Sequence, residues 1–171
     1  MEKMQITDQQ ILNPAHVEAL RTFINQAPYF RLLGMSLLEI GQGKSRMELR
    51  IDAAKHLNPF GGLHGGVYAS LIDAAAYWAA YFALPEEDGM ISADLSVNNL
   101  ARSKGGQLFV EGHCLKTGHT LSLSEAFVRD AEGRLLAHGL SKLLVKSRGL
   151  QSVSQAIAAA GLPPLPPKFI A

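Results

Sequence analysis

Asp73 is the only charged side chain in the run from Gly65 to Leu84, a stretch otherwise made of glycine, alanine, aliphatic and aromatic residues with a single serine. An ionised carboxylate stranded in such a segment costs several kcal/mol, so it must be solvated in a cleft, paired, or held neutral. Buried carboxylates of this kind concentrate at sites of general acid, general base or nucleophilic chemistry. The plainer alternative is a carboxylate hydrogen-bonded by Ser70 or Tyr77, one turn away on the same helix face.

Just upstream, Asn58-Pro59-Phe60-Gly61-Gly62-Leu63-His64-Gly65-Gly66 holds four glycines that permit tight turns and let a ligand approach the backbone. Amide groups left unpaired at the start of the following helix suit the polarisation of a carbonyl and the holding of an oxyanion. Read alone, the same stretch is also a plain connector. Asp73 lies eight residues beyond Gly65, which at ~1.5 Å per residue is about 12 Å along a helix axis. One carbonyl carbon cannot touch both groups, so the spacing expects Asp73 of one subunit to work with Gly65 of another.

The elements that must position these groups follow from pattern. Pro14 to Gln26 carries Val17, Leu20, Phe23 and Ile24 on one helical stripe, with Asn13 as cap and Pro14 in the first turn. Gly34 to Ile40 and Arg46 to Ile51 read as a hairpin, and Asp52 to Phe60 as a loop or single helical turn. Gly65 to Leu84, apolar all round and rich in alanine, is expected as a buried helix that a sheet can approach closely, ended by Pro85. Met90 to Asn99, Gln107 to Lys116, Thr120 to Asp130 and Arg134 to Lys146 read as consecutive antiparallel strands. An Ala-rich piece, Val153 to Ala160, and the Pro-rich Leu162 to Pro167 follow, the latter as an extended tail that cannot join a ladder. The expected fold is α+β, an antiparallel sheet of about six strands around one long central helix, within one domain spanning 29–147, with a leader helix in 1–28 and a tail in 148–171.

Composition excludes several other classes. The 171 residues carry 16 basic and 15 acidic side chains, a net charge of +1, so no global field draws the chain to nucleic acid or an anionic membrane. The single cysteine, Cys114, cannot form an internal disulfide, and no spacing of Cys or His offers a metal site. No Gly-x-Ser-x-Gly elbow and no Walker loop is present. Met1 to Gln10 lacks the apolar core of a signal peptide, Asp73 argues against a membrane span, and a cytoplasmic setting is the default.

The string Asn58 to Asp73, with His64-Gly65-Gly66 and Leu71-Ile72-Asp73-Ala74-Ala75, resembles the hot-dog thioesterases of the phenylacetic-acid-degradation type. The resemblance runs over about residues 30 to 146 and includes Ile91 to Val97 and Asp130 to Gly139. It implies the hot-dog fold and hydrolysis of an acyl-CoA thioester without a cofactor. By position it implies Asp73 as nucleophile or general base, Gly65 as oxyanion donor, Asn58 and Ser92 as polar groups near the carbonyl or water, and His64 in support. It also implies a homodimer or homotetramer with sites shared between subunits. Gly66, Arg102 and Lys104 are candidates for contact with the CoA moiety. Asn98-Asn99, where an aromatic residue is common, and Arg102, in place of a usual proline, depart from the pattern. Two alternatives stay open: a non-catalytic acyl-CoA-binding regulator, and a hot-dog hydratase, whose paired Asp and His would stand where this chain has Asn58 and His64.

Overall fold

The computed structural model describes residues 11–146 and 149–170; the Met1 to Gln10 segment lies outside the described residues. Helix α1 (Pro14–Asn25) starts where Asn13 Oδ1 accepts from the Ala15 amide at 3.1 Å, and a second short helix, α2 (Pro28–Leu33), stops at Gly34, whose φ of 67° is left-handed. Strands β2 (Met35–Gly41) and β3 (Lys44–Arg50) form the expected hairpin, turned at Gln42 and Gly43; β1 is the two-residue strand Ile11–Leu12. One helical turn, α3 (Ala53–His56), capped by Asp52, precedes the central helix α4 (Gly65–Ala80), which ends in a 3₁₀ turn over Tyr81–Ala83 before Pro85.

After α4 come β4 (Gly89–Asn99), β5 (Gln107–Thr117), β6 (Leu121–Asp130) and β7 (Leu135–Lys146). With the hairpin they make one antiparallel sheet in the order β2-β3-β5-β6-β7-β4, and α4 touches every strand of it. This is the expected α+β hot-dog architecture. The closeness of the wrap has a cause on the sheet side as well as in the alanines of the helix. A methyl group at Gly112 would run into the Ala75 carbonyl oxygen, and one at Gly139 would lie 2.5 Å from the Ser96 carbonyl and 2.8 Å from Ile72. Ser45 Oγ reaches the same Ala75 carbonyl at 2.7 Å, so the sheet is tied to the helix backbone itself.

One expectation needs correcting. The central helix is not buried all round: Ala69, Ser70, Asp73, Ala74, Tyr77 and Trp78, a stripe at helical spacing, stay half-exposed because no element among the described residues packs over them fully. The segment after β7 packs back onto the rest of the fold. Helix α5 (Val153–Ala159) opens with a Ser152–Gln155 capping box, and β8 (Phe169–Ile170) pairs antiparallel with β1. The prolines themselves stay out of the ladder, and they carry Lys168 to a buried place where Nζ donates to the carbonyls of Tyr81 (3.2 Å) and Leu84 (3.0 Å).

Two outcomes test this packing. Gly112→Ala is expected to cost about 3 kcal/mol or more in urea unfolding, since the added carbon meets backbone and not a yielding side chain. Burial lowers the Lys168 pKa from 10.5 to about 8, against the pull of Glu86, Asp88 and Glu87. The folded chain therefore binds fewer protons than the unfolded chain above that value, and this contribution to stability grows as pH rises. Paired urea titrations should find wild type gaining on Lys168→Met as pH climbs from about 8, up to the onset of tyrosine ionisation.

Candidate active site

Asp73 stands on the open stripe of α4, half-buried, with Oδ1 accepting from Ser92 Oγ at 2.6 Å. Oδ2 has no partner among the described residues. Neither Ser70 nor Tyr77 is its partner, because those hydroxyls are engaged elsewhere: Ser70 Oγ donates to the Gly66 carbonyl (2.9 Å) and meets Tyr29 OH (2.8 Å), and Tyr77 OH donates to Met90 O (3.4 Å). Burial, and then the charge of Asp73, raise the Tyr77 pKa, so the phenol stays protonated beside the carboxylate.

A bulge in β4 explains how Ser92 comes to face the helix. Ser92 pairs with Leu143 and Asp94 with Lys142, so Ala93 is the extra residue. Without it, strand alternation would send residues 92 and 95 to opposite faces. With it, Ser92 touches Asp73 and Leu95 lines the same cleft. That cleft, about 340 Å³, is walled by Tyr29, Phe30, Met35, Ala74, Tyr77, Trp78 and Leu95, with Asp73 the one charged group at its edge. Among the aromatics of this helix and the turn that follows it, Tyr77 and Trp78 form the wall, Phe82 is core, and the buried Tyr68 lines a second hollow.

The second hollow, about 430 Å³, lies at the start of α4 and gathers Asn58, Gly65, Tyr68, Asn99 and Arg102. His64 caps the helix by accepting from the Gly66 amide through Nδ1 at 2.9 Å, which assigns the ring proton to Nε2. Gly66 is thereby committed to the helix start. The Gly65 amide has no acceptor among the described residues, and it is the one left to face a ligand. Asn58 Oδ1 accepts from the amides of Phe60 (2.9 Å) and Gly62 (3.1 Å), fixing the glycine turn and leaving its own amide nitrogen for the hollow. Lys104 lines a neighbouring depression with Gly105 and Gly106.

One chain therefore brings Asp73 to Ser92, and Asn58 to Gly65 and Arg102, in two separate places. An unbroken helix keeps Asp73 and Gly65 about 12 Å apart along its axis, as their spacing implied. Sequence reading did not find Tyr29 or Leu95, which carry no polar pattern of their own. Asn99 had a signal, its departure from the aromatic usual there, and its side-chain nitrogen lies 3.0 Å from where a Gly65 methyl would be. Among the described residues no cluster of His, Cys, Asp or Glu is arranged to hold a metal, and no helix is long and apolar enough to cross a membrane.

The fold is the hot-dog fold, and the comparisons with known proteins support a thioesterase. Residues 60–137 match the family model of the thioesterase superfamily. Human acyl-coenzyme A thioesterase 13 is 28% identical over 125 residues, covering 71% of this chain and 88% of that protein. The 1,4-dihydroxy-2-naphthoyl-CoA hydrolase of Listeria monocytogenes is 24% identical over 116 residues, covering 68% and 94%. The crystal structure of a Haemophilus influenzae thioesterase superposes with a TM-score of 0.69 at 22% identity, over 76% of this chain and 90% of that one. Over that stretch the chain is similar to the thioesterase superfamily.

Ser92→Ala tests the site's geometry. Removal of the hydroxyl that orients Asp73 is expected to lower turnover about tenfold, the worth of one hydrogen bond to a charged group. Urea unfolding should change by less than about 1 kcal/mol, because the carboxylate keeps access to water.

Proposed function

We propose that the protein hydrolyses acyl-CoA thioesters to free acid and CoA, at sites each built from two subunits of a homodimer or of a homotetramer composed of such dimers. The observation that carries this reading is an oriented carboxylate with one free oxygen at the rim of an apolar cleft. The kinship with two relatives named for CoA-thioester hydrolysis supports the substrate class.

In the proposed reaction the thioester carbonyl oxygen accepts from the Gly65 amide, where the developing negative charge also meets the positive end of α4. Asp73 of the neighbouring subunit takes a proton from water as the water oxygen bonds to the carbonyl carbon, or attacks that carbon directly to form an anhydride that water then opens. The carbon–sulfur bond breaks and the thiolate of CoA leaves. Ser92 fixes the carboxylate, Asn58 steadies the glycine turn and offers its amide nitrogen to the carbonyl or water, and His64 keeps the helix start in place. Arg102, with Lys104 beside it, supplies positive charge for the phosphates of CoA.

A panel of acyl-CoA esters with a free-thiol readout tests the activity. Asp73→Asn should keep the fold and lose at least about a hundredfold in turnover; full activity in that variant rejects the assignment. Sharing between subunits is read by co-expressing Asp73→Asn with Gly65→Pro. Proline is tolerated at the first helical position and removes the amide hydrogen, and His64 already has the extended backbone, φ −69° and ψ 134°, that a following proline requires. Each variant alone should be inactive. Their mixed dimer keeps one site intact, so the mixture should recover about a quarter of wild-type activity if subunits pair at random; no recovery means each site lies within one chain.

A further inference from the structure

The segments that flank the shared fold come together at one place. Residues 11–16 and 162–170 both lie outside the stretch that matches the family model. Ile11 pairs with Ile170 and Leu12 with Phe169, the Asn13 amide donates to the Lys168 carbonyl at 3.0 Å, and His16 Nδ1 meets the Pro166 carbonyl at 2.6 Å. The resulting strap closes over the C-terminal end of α4 and presents two buried basic side chains to one tyrosine. His16 is fully buried, with Nε2 2.9 Å from Tyr81 OH. Lys168, 5% exposed, holds the carbonyls of Tyr81 and Leu84 and sits 3.9 Å above the centre of the Tyr81 ring.

A buried ammonium is an expensive way to attach a strap, since an apolar side chain of similar volume usually serves stability as well or better. What the cation provides is direction. It donates to two carbonyls at the helix end, and through its contact with the ring face it fixes the plane of Tyr81. From Tyr81 an aromatic ladder runs to the cleft: Tyr81 to Trp78 at 5.8 Å between ring centres, then Trp78 to Tyr77 at 5.0 Å. Tyr77 and Trp78 are the wall of the Asp73 cleft. Strap, ladder and wall form one contiguous packed line.

We propose that the strap, through Lys168 and His16 acting on Tyr81, positions the aromatic wall of the cleft and thereby determines which acyl groups the enzyme accepts. Lys168 and His16 are positioning residues and touch no reacting atom. The proposal rests on the reading of the cleft as the acyl site. Acyl groups long or broad enough to reach Tyr77 and Trp78 depend on the strap; an acetyl group, held at the reacting carbon alone, does not.

Trp78 is the only tryptophan in the chain, so its emission reports on this wall without any substrate. Two variants separate the contributions. Lys168→Met keeps the apolar stem and loses the charge, and Tyr81→Phe keeps the ring and loses only the hydroxyl bonded to His16. Expected is a shift in Trp78 emission in both, larger for Lys168→Met. The KM for octanoyl-CoA or an aryl-acyl-CoA should rise about tenfold, as for a pocket misfit by roughly one methylene, with kcat changed less than about twofold and acetyl-CoA kinetics unchanged. Unchanged emission and an unchanged acyl preference overturn the proposal, as does a loss of rate uniform over all acyl groups. If Lys168→Met does not fold, an unaltered preference in Tyr81→Phe has the same force. A wild-type protein that releases no thiol from any acyl-CoA removes the specificity claim together with the functional reading, whereas wild-type turnover with a strap-independent preference removes this proposal alone.

Discussion

Everything in this chain is arranged around how closely a sheet can be drawn against one helix. The backbone of β5 passes α4 with no room for a side chain at Gly112, and Gly139 does the same on β7, while Ser45 bonds directly to a helix carbonyl. Contacts this close are made possible by Ala75, Ala76, Ala79 and Ala80 on the helix side. A sheet curved this tightly covers most of the helix circumference, and the stripe it does not cover is where Asp73 stands. Close packing on three sides and chemistry on the fourth are two results of one geometric limit.

That limit also sets the electrostatics of the site. The half-buried carboxylate lines an apolar cleft, with a serine hydroxyl on one oxygen and no partner for the other among the described residues. A protonated phenol beside it lends a polar neighbour without adding charge. At the far end of the same rod the helix start is divided between two glycines, one amide capped by His64 and one left free. An unbroken helix holds these two places about 12 Å apart, and that separation is the reason the proposed chemistry needs a second copy of the chain.

Much of this was legible in the residues. The order of helix, hairpin, central helix and four strands follows from periodicity and turn residues, and Asp73 stands out because its neighbours are so uniformly apolar. What escaped was whatever depended on contacts distant in sequence. The bulge at Ala93 leaves no mark in the string Ile91 to Val97, yet it decides that Ser92 and Leu95 share a face. The uncovered stripe on α4 could not be told from a covered one, since Ala69, Ala74 and Trp78 are apolar either way. The prolines near the end correctly excluded a strand over themselves, but the pairing of Phe169 and Ile170 with residues at the opposite end of the chain has no local signature.

The bond between His16 and Pro166 joins residues 150 positions apart. Together with the pairing of Ile11 with Ile170 and Leu12 with Phe169 it closes the longest loops among the described residues, and loop-closure entropy grows with that length. The hairpin, the central helix and the sheet are joined by pairings much nearer in sequence and can form before it. The clasp at the end of α4 is therefore expected to close last, after the sheet has already wrapped the helix and Asp73 has met Ser92.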